Sequence, residues 1–297
     1  MRAVATPRFP LDAAVARLAA AGIDTARVDA EWLLAGILGV SRGAALTGLD
    51  RPPSAAAIRR FEAAIDRRAR REPLQRILGW EDFRGVRVGL SADVLVPRPE
   101  TELLVEYALA LLPPAAGRRR LTVVDVGTGS GCIACALAIE RPDVDVIAID
   151  VSMEALRIAR GNAAAAGVSD RVRLLAGDLL APLGRAADLV IANLPYLPSA
   201  LIPTLAPEVT DHEPRLALDG GPDGLALVRR LLADVKPPRV RAIALEIAGA
   251  EQSGIVAELA HTAGFSEVAV RRDLAGVERF VTARTERDVT ARTERRP

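Results

Sequence analysis

The chain has 297 residues, room for two compact domains at ~150 residues each, and with 50% hydrophobic and 26% charged residues it excludes intrinsic disorder over most of its length. The 39 Lys+Arg against 38 Asp+Glu leave a net charge of +1, which excludes a global field that would pull the protein onto nucleic acid or an anionic membrane. No run reaches the ~18 apolar residues needed to cross a bilayer, and Pro7, Arg8, Asp12 and Arg17 interrupt any secretory apolar region near the N-terminus. The two cysteines, Cys132 and Cys135, are too few for a disulfide framework or a four-cysteine metal site, so a reducing, cytoplasmic setting is expected.

From residue 11 to about 72 apolar residues recur every three or four positions (Leu11, Val15, Leu18; Ile58, Phe61, Ile65), the period of amphipathic helices. Ser54 is placed as an N-cap and Pro73 as a stop. The run Arg67, Arg68, Ala69, Arg70, Arg71 reads as a solvated helix face. Between Phe83 and Val96 the period changes to two, with Val86, Val88 and Leu90 on one side, which predicts a β-hairpin over 83–96. Glu100 and Glu102 suit either the first turn of a helix, where the aligned peptide dipoles favour negative charge, or a place beside a bound cofactor.

From Leu121 onward strands and helices alternate. Strands are predicted at 121–126, 144–150, 172–176, 187–192 and 241–248, with two more near 267 and 279. Helices fall at Gly131 to Glu140, from Ser152 to about Ala166, after Gly224, and from Glu251 to Ala263. That order is the signature of an α/β protein with a mainly parallel sheet covered on both faces. Cys132 and Cys135 then lie one turn apart on a buried helix, as core residues rather than a redox pair. The C-terminal VTARTERD and VTARTERR, from Val281, form a polar near-repeat whose second copy is expected to be disordered.

The first chemistry appears where the strand ending near Asp125 runs into Gly127, Thr128, Gly129, Ser130 and Gly131 and then a helix. Glycines there let a ligand approach the backbone at a helix N-terminus. Asp150, 19 residues past Gly131 at the end of the next strand, is placed to accept hydrogen bonds from ribose hydroxyls. An adenosine-containing ligand is implied; the G-x-G-x-G spacing leaves NAD and S-adenosylmethionine open. At the end of the fourth strand, Asn193, Leu194, Pro195 and Tyr196 follow an apolar run. The Asn193 amide oxygen and the next carbonyl can hold both protons of a planar NH2 group. Such a group is a poor nucleophile, and two acceptors stabilise the charge that develops on it during methyl transfer. Tyr196 is placed to stack on the flat face of the acceptor. His212 and His261 read as surface residues without metal-ligand spacing, and Glu246 as structural.

Together VVDVGTGSGCIACALA, Asp150 and NLPY resemble an S-adenosylmethionine-dependent methyltransferase acting on an amide or amine nitrogen. The stretch 73–105, PLQRILGWEDFRGVRVGLSADVLVPRPETELLV, preceded by a helical region, resembles the HemK/PrmC family of peptide chain release factor glutamine methyltransferases, over roughly residues 10 to 284. The resemblance implies a Rossmann-like seven-stranded sheet over 97–284, an N-terminal helical substrate-recognition domain over 1–82, the hairpin as linker over 83–96 and a disordered tail over 285–297. It implies methylation of the side-chain amide nitrogen of the glutamine in the Gly-Gly-Gln motif of release factors, modulating translation termination and leaving S-adenosylhomocysteine. Gly127 to Gly131 and Asp150 are implied to bind the cofactor, Asp178 or Leu179 to lie by its adenine, and Asn193 to Tyr196 to hold the glutamine. A monomer is expected, with release factors as partners and neither membrane nor nucleic acid required. The family usually has Asn-Pro-Pro-Tyr; Leu194 replaces the first proline, keeping the carbonyl and losing the fixed φ. NLPY also resembles the motif of adenine-N6 methyltransferases, and a ribosomal-protein glutamine methyltransferase would share the catalytic parts, so both stay open as alternatives.

Overall fold

A computed structural model of the chain describes residues 9–47, 53–114 and 119–285. The expectation for the tail falls, from residue 286 on, outside the described residues. The chain divides into two compact units, Met1–Trp80 with Ala206–His212, and Glu81–Leu205 with Glu213–Pro297.

The first unit is helical: α1 (Leu11–Ala20), α2 (Ala26–Leu38), α3 (Arg42–Thr47), α4 (Ala55–Ala69), α5 (Leu74–Leu78) and the short α9 (Pro207–Thr210). The apolar faces read from the sequence meet in a core around Leu18, Leu33, Phe61 and Ile65. The Ser54 hydroxyl accepts from the Ala57 amide at 3.1 Å, the N-cap expected. The arginine run at the end of α4 is not a solvated face. Arg68 is only 7% exposed and donates to Asp29 at 2.6 Å and to Glu208 at 2.9 Å, while Arg71 takes the other Glu208 oxygen at 2.8 Å. Arg67 pairs with nearby Glu72, but the acids that neutralise Arg68 lie 39 and 140 residues away in sequence, which is why local charge patterning read it as free. The segment 206–212 is thereby tied to the helical unit.

The second unit opens with a hairpin, β1 (Trp80–Phe83, whose first residue ends the first unit) and β2 (Val86–Gly89). The hairpin therefore spans 80–89, not 83–96. Arg84 and Gly85 both have positive φ, 47° and 75°, and make the two-residue turn, so the partner strand must precede them. Helix α6 (Pro99–Leu111) follows, with Glu100 and Glu102 in its first turn as expected. Then come β3 (Leu121–Val126), α7 (Cys132–Glu140), β4 (Val144–Asp150), α8 (Met153–Ala165), β5 (Val172–Ala176), β6 (Leu189–Ala192), α10 (Ala226–Asp234), β7 (Ala242–Glu246), α11 (Ala250–Thr262), β8 (Glu267–Arg272) and β9 (Glu278–Arg284).

The seven strands lie in the order β5-β4-β3-β6-β7-β9-β8, parallel except for β9, which runs antiparallel to both neighbours. Both faces are covered, so the central strands are largely apolar: every residue of β3, β6 and β7 is buried, and only Thr122, Asp125 and Glu246 among them are polar. Val123 and Ile191 enter one core layer with α6 and α7, and Val124 and Val190 enter the other with α10 and α11. Cys132 and Cys135 are buried and unpaired, and burial pushes both thiols up to about 12, so they are inert core residues. The strand order reverses between β3 and β6, where the chain leaves a crevice beyond the carboxyl ends of the strands. Among the described residues no helix is long and apolar enough to cross a membrane.

Candidate functional site

Beyond the ends of β3, β4 and β6 lies a cavity of about 330 Å³, within the size range of small-molecule sites. Its floor is the glycine-rich turn. Gly127, Gly129 and Gly131 have φ of 74°, 53° and 78°, a region where a side chain is strained, and the Gly127 and Thr128 amides both donate to the Ile149 carbonyl of β4. At Gly131 an added Cβ would stand 2.9 Å from the Ala159 Cβ, so this glycine lets α7 and α8 approach. Asp150 clamps the turn: one carboxylate oxygen accepts from the Gly129 amide at 2.8 Å and the other from the Ser152 amide at 2.9 Å. Asp150 also lines the cavity, as do Asp178 and Leu179.

Behind the turn, Asp125 is fully buried and accepts the Thr128 hydroxyl at 2.6 Å. Burial pushes its carboxyl up to about 7; the Thr128 bond draws it back, and the charge of Asp150 adds to the rise. Sequence reading passed over Asp125 as a strand residue. An acid inside an otherwise apolar buried strand was the available signal.

Asn193, Leu194 and Pro195 form another wall of the same cavity. Leu194 is buried against the glycine turn, and a Cβ added at Gly127 would meet its Cδ2 at 3.1 Å. The Asn193 side-chain amide donates to the Thr101 hydroxyl at 3.0 Å, and that hydroxyl donates to the Glu246 carboxylate at 2.9 Å. Tyr196 is not on the cavity wall: its hydroxyl donates to the other Glu246 oxygen at 3.1 Å, and its carbonyl accepts from Gln252 at 2.9 Å. Gly220 and Gly224 press against this loop, with room for no Cβ beside the carbonyls of Pro195 and Tyr196.

The structure thus brings Gly127, Thr128, Gly129, Ser130, Asp150, Asp178, Asn193, Leu194 and Pro195 around one space, and sets Gly131 and Tyr196 behind its walls. Glu246, read from sequence as structural, is buried one hydroxyl away from Asn193. Thr101, hidden in the helix-capping stretch, was missed; its role exists only once α6, β6 and β7 are side by side.

Residues 11–79 match the family model described as the PrmC N-terminal domain, and residues 101–203 match the methyltransferase small domain. The release factor glutamine methyltransferase of Cereibacter sphaeroides is 45% identical over 277 residues, 92% of this chain and 96% of that protein. The chain belongs to the release factor glutamine methyltransferase family. The Deinococcus radiodurans member is 44% identical to it over 278 residues, 92% of this chain and 96% of that protein. Among solved structures, the hMettl16 catalytic domain in complex with MAT2A 3′UTR hairpin 6 shares the fold of this family member, at a TM-score of 0.54 and 17% identity, covering 81% of this chain and 85% of that one.

Proposed function

We propose that the chain transfers a methyl group from S-adenosylmethionine to the side-chain amide nitrogen of the glutamine in the Gly-Gly-Gln motif of peptide chain release factors. The observation that carries the reading is the shared cavity: the glycine turn with its Asp150 clamp lines the same space as Asn193 and Leu194, the residues that carry the two acceptors. The family relation supports both donor and acceptor.

The residues fit the donor. Gly127 and Gly129 line the cavity, Asp150 keeps lone pairs for ribose hydroxyls, and Asp178 and Leu179 line the end assigned to adenine. When bound, S-adenosylmethionine supplies an electrophilic methyl group on a positively charged sulfur. The protein's own part is to hold the glutamine NH2 between the Asn193 amide oxygen and the Leu194 carbonyl. Both are fixed acceptors, so positive charge developing on nitrogen meets preorganised dipoles instead of water, and no strong base is required. Leu194 supplies its carbonyl as the usual proline does, and its buried side chain replaces the proline ring's restraint by packing against the turn.

The helical unit is assigned the recognition of the release factor. The test is transfer of labelled methyl from S-adenosylmethionine to a release factor, to the same factor with its Gly-Gly-Gln glutamine replaced, and to RNA. Label on the intact factor alone is the expected result; label on RNA would move the reading to adenine methylation.

A further inference from the structure

Asn193 can work only if its amide oxygen, and not its NH2, faces the substrate, and an amide can be turned either way. The surroundings decide which. An ionised Glu246 can only accept hydrogen bonds, and it takes the single proton of the Thr101 hydroxyl on one oxygen and that of the Tyr196 hydroxyl on the other. Thr101 is then left with lone pairs alone toward Asn193, so it must receive the Asn193 NH2, as it does at 3.0 Å. Turning the amide would set two lone-pair oxygens against each other in a buried place, at the cost of an unmet hydrogen bond. The Asn193 oxygen therefore lies on the opposite side of the planar group, available to the cavity that Asn193 lines.

Resting on the amide-methylation reading above, we propose that Glu246 is a positioning residue that, through Thr101, fixes the face of the Asn193 amide, so that turnover requires Glu246 to be ionised. Protonation at the oxygen facing Thr101 reverses the chain: the acid donates to Thr101, whose own proton then turns toward Asn193 and favours the amide oxygen there. The NH2 would then face the substrate NH2, donor against donor.

The groups facing Glu246 are Thr101 and Glu100 from α6, Tyr196 from the loop after β6, and Arg279 from β9. Burial pushes its carboxyl up to about 7; the bonds from Thr101 and Tyr196 and the charge of Arg279 draw it back, while Glu100 adds to the rise. The Tyr196 hydroxyl is itself pushed up by burial and by Glu246, so it remains a donor throughout. Titration of Glu246 thus falls within the working range of a neutral-pH enzyme.

The sequence allows a direct readout, because the chain holds two asparagines only, Asn162 and Asn193. Asparagine labelled with 15N on its side chain gives two NH2 signals in the free protein. Asn162 is an internal control, since its NH2 donates to the Gly89 and Ser130 carbonyls, which do not titrate. Between pH 5.5 and 8.5 the Asn193 signals should move with a midpoint near 7, and should lie flat in Glu246→Gln, with Asn162 steady in both. Turnover should rise through the same midpoint in the natural protein and lose that dependence in Glu246→Gln. Thr101→Val, which keeps shape and removes the hydroxyl, should lower kcat by about tenfold or more with the KM for S-adenosylmethionine unchanged, and Thr101→Ser should recover the loss. A flat Asn193 signal in the natural protein, the same titration in Glu246→Gln, or full turnover in Thr101→Val would overturn the proposal. Failure to methylate any release factor would instead sink the amide-methylation reading, since the amide titration is read without substrate.

Discussion

Replacing Glu246 by Gln should make the protein more stable at high pH and not at low pH. Glu246 is 1% exposed, and its carboxyl is pushed from an ordinary 4.5 up to about 7. A carboxyl whose folded value is raised favours folding most when it is neutral in both states, below about pH 4.5. That advantage is lost as pH rises toward 7, because the folded protein must then bury a charge that the unfolded chain exposes to water. A rise of about 2.5 pH units at 1.36 kcal/mol each corresponds to about 3 kcal/mol. Glutamine keeps an acceptor for Thr101 and carries no charge, so the variant lacks this loss. Asp125, also raised to about 7, sits in both proteins and cancels in the difference. Urea unfolding followed by circular dichroism at pH 5 and pH 8.5 measures it. The two proteins should lie close at pH 5, and the variant should gain up to about 3 kcal/mol at pH 8.5. A difference that does not change with pH, or a natural protein that gains on the variant as pH rises, would refute the reasoning. Combined with the turnover expected of the same variant, this outcome describes a site that gives up stability in order to hold an oriented charge.

Asn193→Ala should lower turnover by ~10²–10³-fold, the usual loss for one preorganised contact to a developing charge, while calorimetric affinity for S-adenosylmethionine changes little. Asp150→Ala removes the clamp on the Gly129 and Ser152 amides as well as the ribose acceptor. Calorimetry should therefore show donor affinity weakened by about tenfold or more, and undiminished affinity would remove Asp150 from the site. Gly131→Ala forces a side chain into φ 78° with its Cβ 2.9 Å from that of Ala159, so urea unfolding should report a loss of about 1–3 kcal/mol.

Much of this protein was legible along the chain. The alternation from Leu121 onward gave the seven strands, because a strand buried on both faces is mostly apolar and a helix must be interrupted at its ends. The glycine turn, Asp150 and NLPY were legible because they are local: backbone with positive φ needs glycine, and strand ends in this fold face the ligand. Where the pattern was short it misled. Val86 and Val88 mark one strand of the hairpin, and the period alone did not say that its partner came before Arg84 and not after Leu90.

Tertiary structure alone decided which polar groups answer each other. Nothing near Arg68 in sequence indicates that Asp29 and Glu208 neutralise it, and nothing near Glu246 indicates that it reaches Asn193 through a threonine 145 residues away. The physical reason is the cost of burial. A strand or a turn is set by its own residues, whereas a buried charge is tolerated only where distant segments converge to supply its hydrogen bonds. The sequence by itself therefore determined the fold class and the ligand-facing loops; the identity of the groups that orient them came from how α6, β6 and β7 pack.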